Sequence, residues 1–180
     1  MTCFVFLRAI NVGGHRVTMD ELRGLFADLG FPDADTFLAS GNVILDVDAE
    51  APAEAEALER RIETGLEEAL GYEVATFLRA DDELRAVADA VPEHGARIAN
   101  PQAVNVAFLR APLDAKQRDL LRALETEIDE FHLDGRHLYW LCGTRQSDST
   151  FSNASFERKL QLQATFRGLN TVRRLLKKYA

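Results

Sequence analysis

Two hydrophobic periods trade places along this chain: short apolar runs of strand length, and apolar residues spaced three and four apart as on one face of a helix. Residues 3–9, from Cys3 through Phe6 and Leu7 to Ala9, read as a buried strand bounded by turn signals. Met19, Leu22, Leu25, Phe26 and Leu29 then fall at helical spacing behind a Thr18–Glu21 capping-box pattern, so a helix is predicted over 18–30, closed by Gly30. Residues 36–40 and 43–47 flank Gly41-Asn42, which reads as a two-residue hairpin turn with glycine first. Pro52 opens a Glu- and Ala-rich helix whose apolar stripe is Leu58, Ile62, Leu66, Ala69 and Leu70, ending at Gly71. Residues 73–79 supply a fourth strand, and the order βαββαβ is the split βαβ of the ferredoxin-like fold.

The same order then returns. A short helix over 82–91 and a loop with Pro92, Gly95 and Pro101 lead to a strand over 103–110 and a helix over 114–127. Strands over 128–133 and 136–142 join at Asp134-Gly135; a helix starts near Ser152 or Asn153, and a short strand over 163–166 precedes a basic helix over 168–179. Gly41 and Gly135 stand 94 residues apart, and Phe6 and Phe108 stand 102 apart. The tetrapeptide Phe-Leu-Arg-Ala occurs at Phe6, Phe77 and Phe108, each time at the C-terminal end of a predicted strand. The expected fold is α+β, with two ferredoxin-like repeats in one compact unit and a C-terminal basic helix. The first repeat is expected over 1–80, a connecting helix and loop over 81–101, and the second repeat with the terminal helix over 102–180.

The second hairpin predicts a definite pairing. If Asp134-Gly135 is the two-residue turn, His132 lies opposite His137 and Glu130 opposite Tyr139 on one face, leaving Phe131, Leu138 and Trp140 for the core. Two histidines and a carboxylate have the donor chemistry for a divalent metal. A solvated strand face accounts for the same residues more simply, and neither a metal nor a cofactor is expected.

The densest cluster of polar and special-backbone residues runs from Arg8 to Arg23. Gly13-Gly14 stands between a strand and a helix N-terminus, where exposed N–H groups and the helix dipole favour an anion. Arg8 and Arg16 flank it, and Asn11 and His15 add hydrogen-bonding groups, so together they could hold a phosphate or carboxylate. Asp20 and Glu21 oppose this with negative charge in the first helical turn. The loop is neither a Walker loop nor a dinucleotide fingerprint, because the Gly-Lys-Ser/Thr ending and the third glycine are absent. Ser40 and Asn42, beside Gly41, are secondary candidates; a hairpin tip explains them without catalysis. The polar run of Arg145, Gln146, Ser147, Ser149, Thr150 and Ser152, with Arg167 and Asn170 beyond it, could join the Gly-Gly loop in a cleft between the repeats.

These residues carry a family resemblance. Leu7-Arg8-Ala9-Ile10-Asn11-Val12-Gly13-Gly14, Met19-Asp20-Glu21-Leu22-Arg23, Ala39-Ser40-Gly41-Asn42-Val43-Ile44, Phe151-Ser152-Asn153 and Ala164-Thr165-Phe166-Arg167-Gly168-Leu169-Asn170-Thr171-Val172 resemble the family called domain of unknown function 1697. Gly168 and Leu169 stand where many members carry Asn and an aromatic, and His15 and Arg16 where a lysine is often found. The resemblance implies a bacterial-type cytosolic α+β protein built from two similar ferredoxin-like halves, with no established activity.

Composition narrows the remaining choices. With 180 residues and 47% apolar content, the chain can bury one substantial core or two small fused ones. Cys3 and Cys142 each lie inside an apolar run, which fits unpaired thiols in a reducing compartment, and a cytoplasmic location is expected. No apolar run approaches membrane-spanning length, and no membrane partner is expected. The net charge of −8 is uneven: residues 143–180 hold 8 Lys and Arg against 2 acids, the rest 13 against 27. An acidic body with a basic tail points to an anionic ligand or self-complementarity more than to nucleic acid. The leading reading is therefore binding of a small anionic metabolite, with hydrolysis or group transfer left open and no catalytic residue or oligomeric state named. The alternative is a protein- or RNA-interaction module without catalysis; RNA is disfavoured because strand aromatics sit in all-apolar runs nearly free of lysine.

Overall fold

The computed structural model describes residues 2–47 and 52–179. Its elements are β1 (Thr2–Leu7), α1 (Met19–Asp28), β2 (Asp35–Thr36), β3 (Asn42–Asp46), α2 (Pro52–Leu70), β4 (Thr76–Ala80), α3 (Asp81–Asp89), β5 (Ala103–Phe108), α4 (Ala115–Arg122), β6 (Asp129–Asp134), β7 (His137–Cys142), α5 (Asn153–Leu160), β8 (Thr165–Gly168) and α6 (Leu169–Tyr179), with a 3-10 turn at Gln146–Asp148. This is an α+β protein with two four-stranded antiparallel sheets, ordered β2-β3-β1-β4 and β6-β7-β5-β8. The chain divides into two compact units, Met1–Leu84 and Arg85–Ala180.

In the first unit β1 runs between β3 and β4, with Val5 opposite Val43 on one side and Leu78 on the other. Strand alternation sends Cys3, Val5 and Leu7 to one face, where they join Leu22 and Phe26 of α1 and Ile62 and Leu66 of α2 in a single buried cluster. Phe4, Phe6, Ile44, Phe77 and Arg79 on the opposite face are buried as well. At about 25 cal/mol per Å² of apolar surface removed from water, this two-sided burial makes β1 the strand that organises the unit. α1 starts as its sequence predicts: Thr18 Oγ1 accepts from Glu21 N–H, and the Glu21 carboxylate accepts from Thr18 N–H at 2.7 Å.

The edge strand β4 has backbone donors on its outer side, and α2 satisfies them. Glu63 accepts from Thr76 N–H and the buried Glu59 from Leu78 N–H, both at 2.7 Å. Capping an open edge with helix carboxylates removes a template for unwanted strand pairing.

The second unit repeats these devices. Ala107, Leu109, Phe131, Leu138, Trp140 and Cys142 form a cluster with Leu121 of α4 and Phe156 and Leu160 of α5. The Phe151 ring lies tilted against Trp140, centroids 4.6 Å apart, and against Phe131, 5.0 Å apart. Glu157 of α5 accepts from Ala164 N–H just before the edge strand β8, as Glu63 does for β4. α6 packs on β5 and β8, burying Leu169, Val172, Leu175 and Leu176 outside the α4–α5 cluster.

Both predicted hairpin turns need correction. The β2–β3 connection is longer than two residues, since Thr36 pairs with Val43 and the loop between them closes by Phe37 N–H donating to Asn42 O. Leu38 takes a positive φ of 62° there, and the Asn42 side chain spans the loop to Phe37 O at 2.6 Å. In the β6–β7 hairpin Asp134 pairs with His137, so Gly135 and Arg136 are the turn residues. His132 therefore faces Tyr139, and Glu130 faces Leu141, each shifted by two from the predicted partner. An even shift preserves the face of every side chain, which is why Phe131, Leu138 and Trp140 still reach the core.

Candidate functional site

The connection from β1 to α1 is braced at its base and open at its tip. Arg8 N–H donates to Ala75 O and Leu7 N–H to Gly41 O, both at 2.8 Å. Ile10 is buried in the core, and its carbonyl accepts from the Tyr72 hydroxyl at 3.0 Å. The Asn11 side chain spans the loop, Oδ1 accepting from Val17 N–H at 2.6 Å and Nδ2 donating to Ala39 O at 2.9 Å. Val12, by contrast, is 62% exposed, and the residues from Gly13 through Arg16 are exposed as well. Gly13 and Gly14 have φ of 70° and 89°, and a Cβ at either would meet nothing within 4 Å. Positive φ, not lack of room, is what requires glycine there.

Two sequence-predicted clusters meet at this base. The 39–42 segment lies against the loop through the Ala39 and Gly41 carbonyls, and Gly41 has no room for a side chain: a Cβ would come 2.9 Å from Ile10 Cγ2 and 3.0 Å from Leu7 Cβ. Asn42 is buried and bonds Ser40 Oγ at 2.9 Å, so its amide holds the turn together. Asn11 and Asn42 are thus framework residues of the loop. His15 stacks on Tyr72, ring centroids 3.8 Å apart and 22° from coplanar, and burial raises the Tyr72 hydroxyl pKa.

The α1 N-terminus is closed by its own cap. The Thr18 backbone and side-chain hydrogen bonds lower the Glu21 pKa, with Arg16 adding to the effect, so the first turn already holds an anion. What the loop turns outward is the Gly13-Gly14 backbone with His15 and Arg16, and the half-buried Arg8 stands at its start.

The second unit contains Arg145, Arg167 and Asn170. Arg145 is exposed, and its carbonyl accepts from Asp148 N–H at 2.9 Å. Arg167 is buried in β8, where Nη1 donates to Thr165 Oγ1 and Phe166 O at 2.8 Å, and burial pulls its pKa down to about 10. Asn170 is exposed in the first turn of α6. Ser149 and Ser152, from the same polar run, have structural tasks. Ser149 donates to Asp129 at 2.8 Å, and Ser152 caps α5.

Sequence reasoning missed the most buried polar network. Asp129 is fully buried and accepts from Trp140 Nε1 at 2.8 Å, Ser149 Oγ and Thr126 Oγ1. Glu130 beside it accepts from Arg97 and Ile98 N–H and from His132 Nε2. Burial works to raise the Glu130 pKa, but these hydrogen bonds outweigh it and the net shift is downward. Arg97 spreads its fork over the Thr126, Glu127 and Asp129 carbonyls. The available signal was an aspartate at core parity with Phe131 inside a strand pattern. Among the described residues, no group of three or more His, Cys, Asp or Glu is arranged to hold a metal, and no helix is long and apolar enough to cross a membrane.

A solved structure described as "The structure of conserved bacterial protein SP0830 from Streptococcus pneumoniae" is similar over 98% of this chain and 97% of that one, with TM-score 0.72 and 21% identity. At that identity the likeness speaks to the fold alone. None of the curated proteins compared matches the chain. The model of the family described as "Protein of unknown function (DUF1697)" matches residues 1–139, and the chain belongs to that family.

Proposed function

We propose that the protein binds a small anionic, phosphate- or carboxylate-bearing ligand at the exposed tip of the β1–α1 loop. The observation that carries this reading is the bracing of a solvent-facing loop from beneath: Asn11 and Tyr72 fix its base, so the tip is presented at low ordering cost. Loops held by a rigid scaffold are where binding groups concentrate. The Gly13-Gly14 amides, Arg16 and His15 are the recognition groups, with Arg8 at the loop's start. The finer architecture we infer is a duplication of the ferredoxin-like unit over 1–80 and 102–180, joined through 81–101, which the matching strand orders support. A cytoplasmic setting fits the two free, buried cysteines.

The test is a thermal melt with inorganic phosphate, phosphorylated metabolites, dicarboxylates and a short RNA, on the wild type and on Arg16→Gln. A true ligand at 100 times its dissociation constant stabilises by about 2.7 kcal/mol. Arg16→Gln is expected to keep the ligand-free melting temperature and lose the ligand response. A response to RNA alone overturns the small-ligand reading. Silence with every probe leaves the macromolecular-interaction reading in its place.

A further inference from the structure

A pocket lies wholly within the Arg85–Ala180 unit, between the 93–104 segment and the start of α6. It encloses about 350 Å³, within the usual range for small-molecule sites. Its polar lining comes from Glu93, Asn100, Gln102, Asn170 and Arg173, over an apolar floor that includes Val104 and Leu169. One of these groups is unsatisfied: Glu93 Oε2 is shielded from solvent and has no hydrogen-bond partner. Water does not reach that oxygen as it stands, so a ligand meets it only after the half-buried Glu93 side chain turns, and an ammonium that then supplies the missing donor recovers the cost of its burial. Arg173 is held in place by Nε donating to Ala88 O at 2.9 Å and Nη2 to Ala90 O at 3.1 Å. The lining therefore combines a negatively charged hydrogen-bond acceptor, an oriented guanidinium and three amides.

We propose that this pocket binds a small zwitterion of the α-amino acid class, its ammonium on Glu93 and its carboxylate on the Nη1 edge of Arg173, with the Asn170 amide beside it. A purely anionic ligand would meet the Glu93 carboxylate, and a purely cationic one the Arg173 guanidinium. A molecule carrying both charges a few bonds apart satisfies each side. No residue of the Gly-Gly loop lines this pocket, so neither proposal rests on the other.

The experiment is isothermal titration of the full chain with a panel of free α-amino acids, and with the same compounds N-acetylated or converted to C-terminal amides. At least one free amino acid is expected to bind, with blocking of either end weakening it about tenfold or more. Glu93→Gln keeps the shape of the site and is expected to lose binding by a similar factor. Its own melting temperature should not fall, because the substitution removes the charge from a carboxylate with one oxygen shielded and unpartnered. Asn170→Ala, at an exposed position, is expected to weaken binding without touching the fold. No binding by any free amino acid, equal binding of blocked and free forms, or undiminished binding by Glu93→Gln would each overturn the assignment.

Discussion

Arg79 in the first sheet and Arg167 in the second occupy comparable places: each is buried on the closing edge strand, beside the central strand that begins its unit. Phe77 and Arg79 share the face away from α1 and α2, just as Thr165 and Arg167 share the face away from α4 and α5. Both arginines donate Nη1 to the carbonyl of the residue before them at 2.8 Å, Arg79 to Leu78 O and Arg167 to Phe166 O. Arg79 Nε faces the carboxylate of Glu83 at 3.3 Å, one helical turn into α3. Arg167 donates to the neutral oxygens of Thr165 and Phe166. In both units a helix carboxylate accepts a backbone N–H at the outer strand, from Thr76 and Leu78 within β4 and from Ala164 just before β8. Around the bond that the two arginines share the side-chain contacts differ, Glu83 meeting Arg79 and Thr165 Oγ1 accepting from Arg167. The second unit adds the Asp129–Glu130 network, a set of buried carboxylates for which the first unit's nearest counterpart is Glu59.

The largest effect that would sharpen this contrast lies in that network. Asp129→Ala leaves the buried Trp140 Nε1 donor without a partner and removes the Ser149 and Thr126 bonds to a charged group, and should cost about 3–5 kcal/mol in urea unfolding. A cost near that of an exposed substitution would mean that the second unit does not depend on its buried polar network.

Next in size is the arginine pair itself. Arg79→Gln removes the guanidinium that meets Glu83 and is expected to cost about 2–4 kcal/mol, the lower end reflecting the partial exposure of Glu83. Arg79→Met combined with Glu83→Leu should recover part of that loss, as removal of both partners usually does. If the double variant is no better than the sum of the singles, the two side chains do not act as a pair.

The loop brace of the first unit comes third. Asn11→Ala removes both the Val17 and Ala39 contacts and should cost about 1–2 kcal/mol, with Gly13→Ala costing about 1 kcal/mol through its positive φ alone. Amide hydrogen exchange over residues 8–17 is the direct readout, and it should quicken in Asn11→Ala before any global loss appears.

The smallest expected effect has an unusual sign. Tyr139 is buried, its hydroxyl has no partner, and burial, helped by Asp134, pushes its pKa up to about 12. Tyr139→Phe is therefore expected to stabilise at neutral pH by about 1 kcal/mol. The alkaline limb separates Tyr139 from Arg167. A phenol raised from about 10 to about 12 contributes stability that is present below pH 10 and lost as pH rises through the folded value. An arginine lowered from 12.5 to about 10 does the reverse, since the unfolded chain binds its proton more strongly across that window and stability rises with pH. In unfolding curves from pH 9 to 11, Tyr139→Phe should flatten the fall and Arg167→Met should steepen it. The opposite slopes would reverse both assignments.

The three Phe-Leu-Arg-Ala copies show where sequence reading stops. Their phenylalanines are all buried, and Leu7, Leu78 and Leu109 all face a helix-covered core, because alternation along a strand is local and sequence alone sets it. Their arginines differ: Arg8 is half-buried past the end of β1, Arg79 is fully buried inside β4, and Arg110 is exposed beyond β5. Four identical residues cannot encode that difference, which comes from where each strand ends and what packs beside it. The Thr18–Glu21 cap, the helical stripes and the core parity of Phe131, Leu138 and Trp140 were legible for the same local reason. The exact hairpin pairings were not, since the turns close through contacts such as Asn42 with Phe37 O that only the folded loop makes. Nor was the framework role of Asn11, whose partners at Val17 and Ala39 are brought within reach when the β1–α1 loop and the 39–42 segment settle on the end of one sheet. Periodicity fixes which side of an element faces inward, because each residue carries that information with its neighbours. Which polar groups meet is decided by contacts between segments distant in the chain, and these exist only once the sheets have formed.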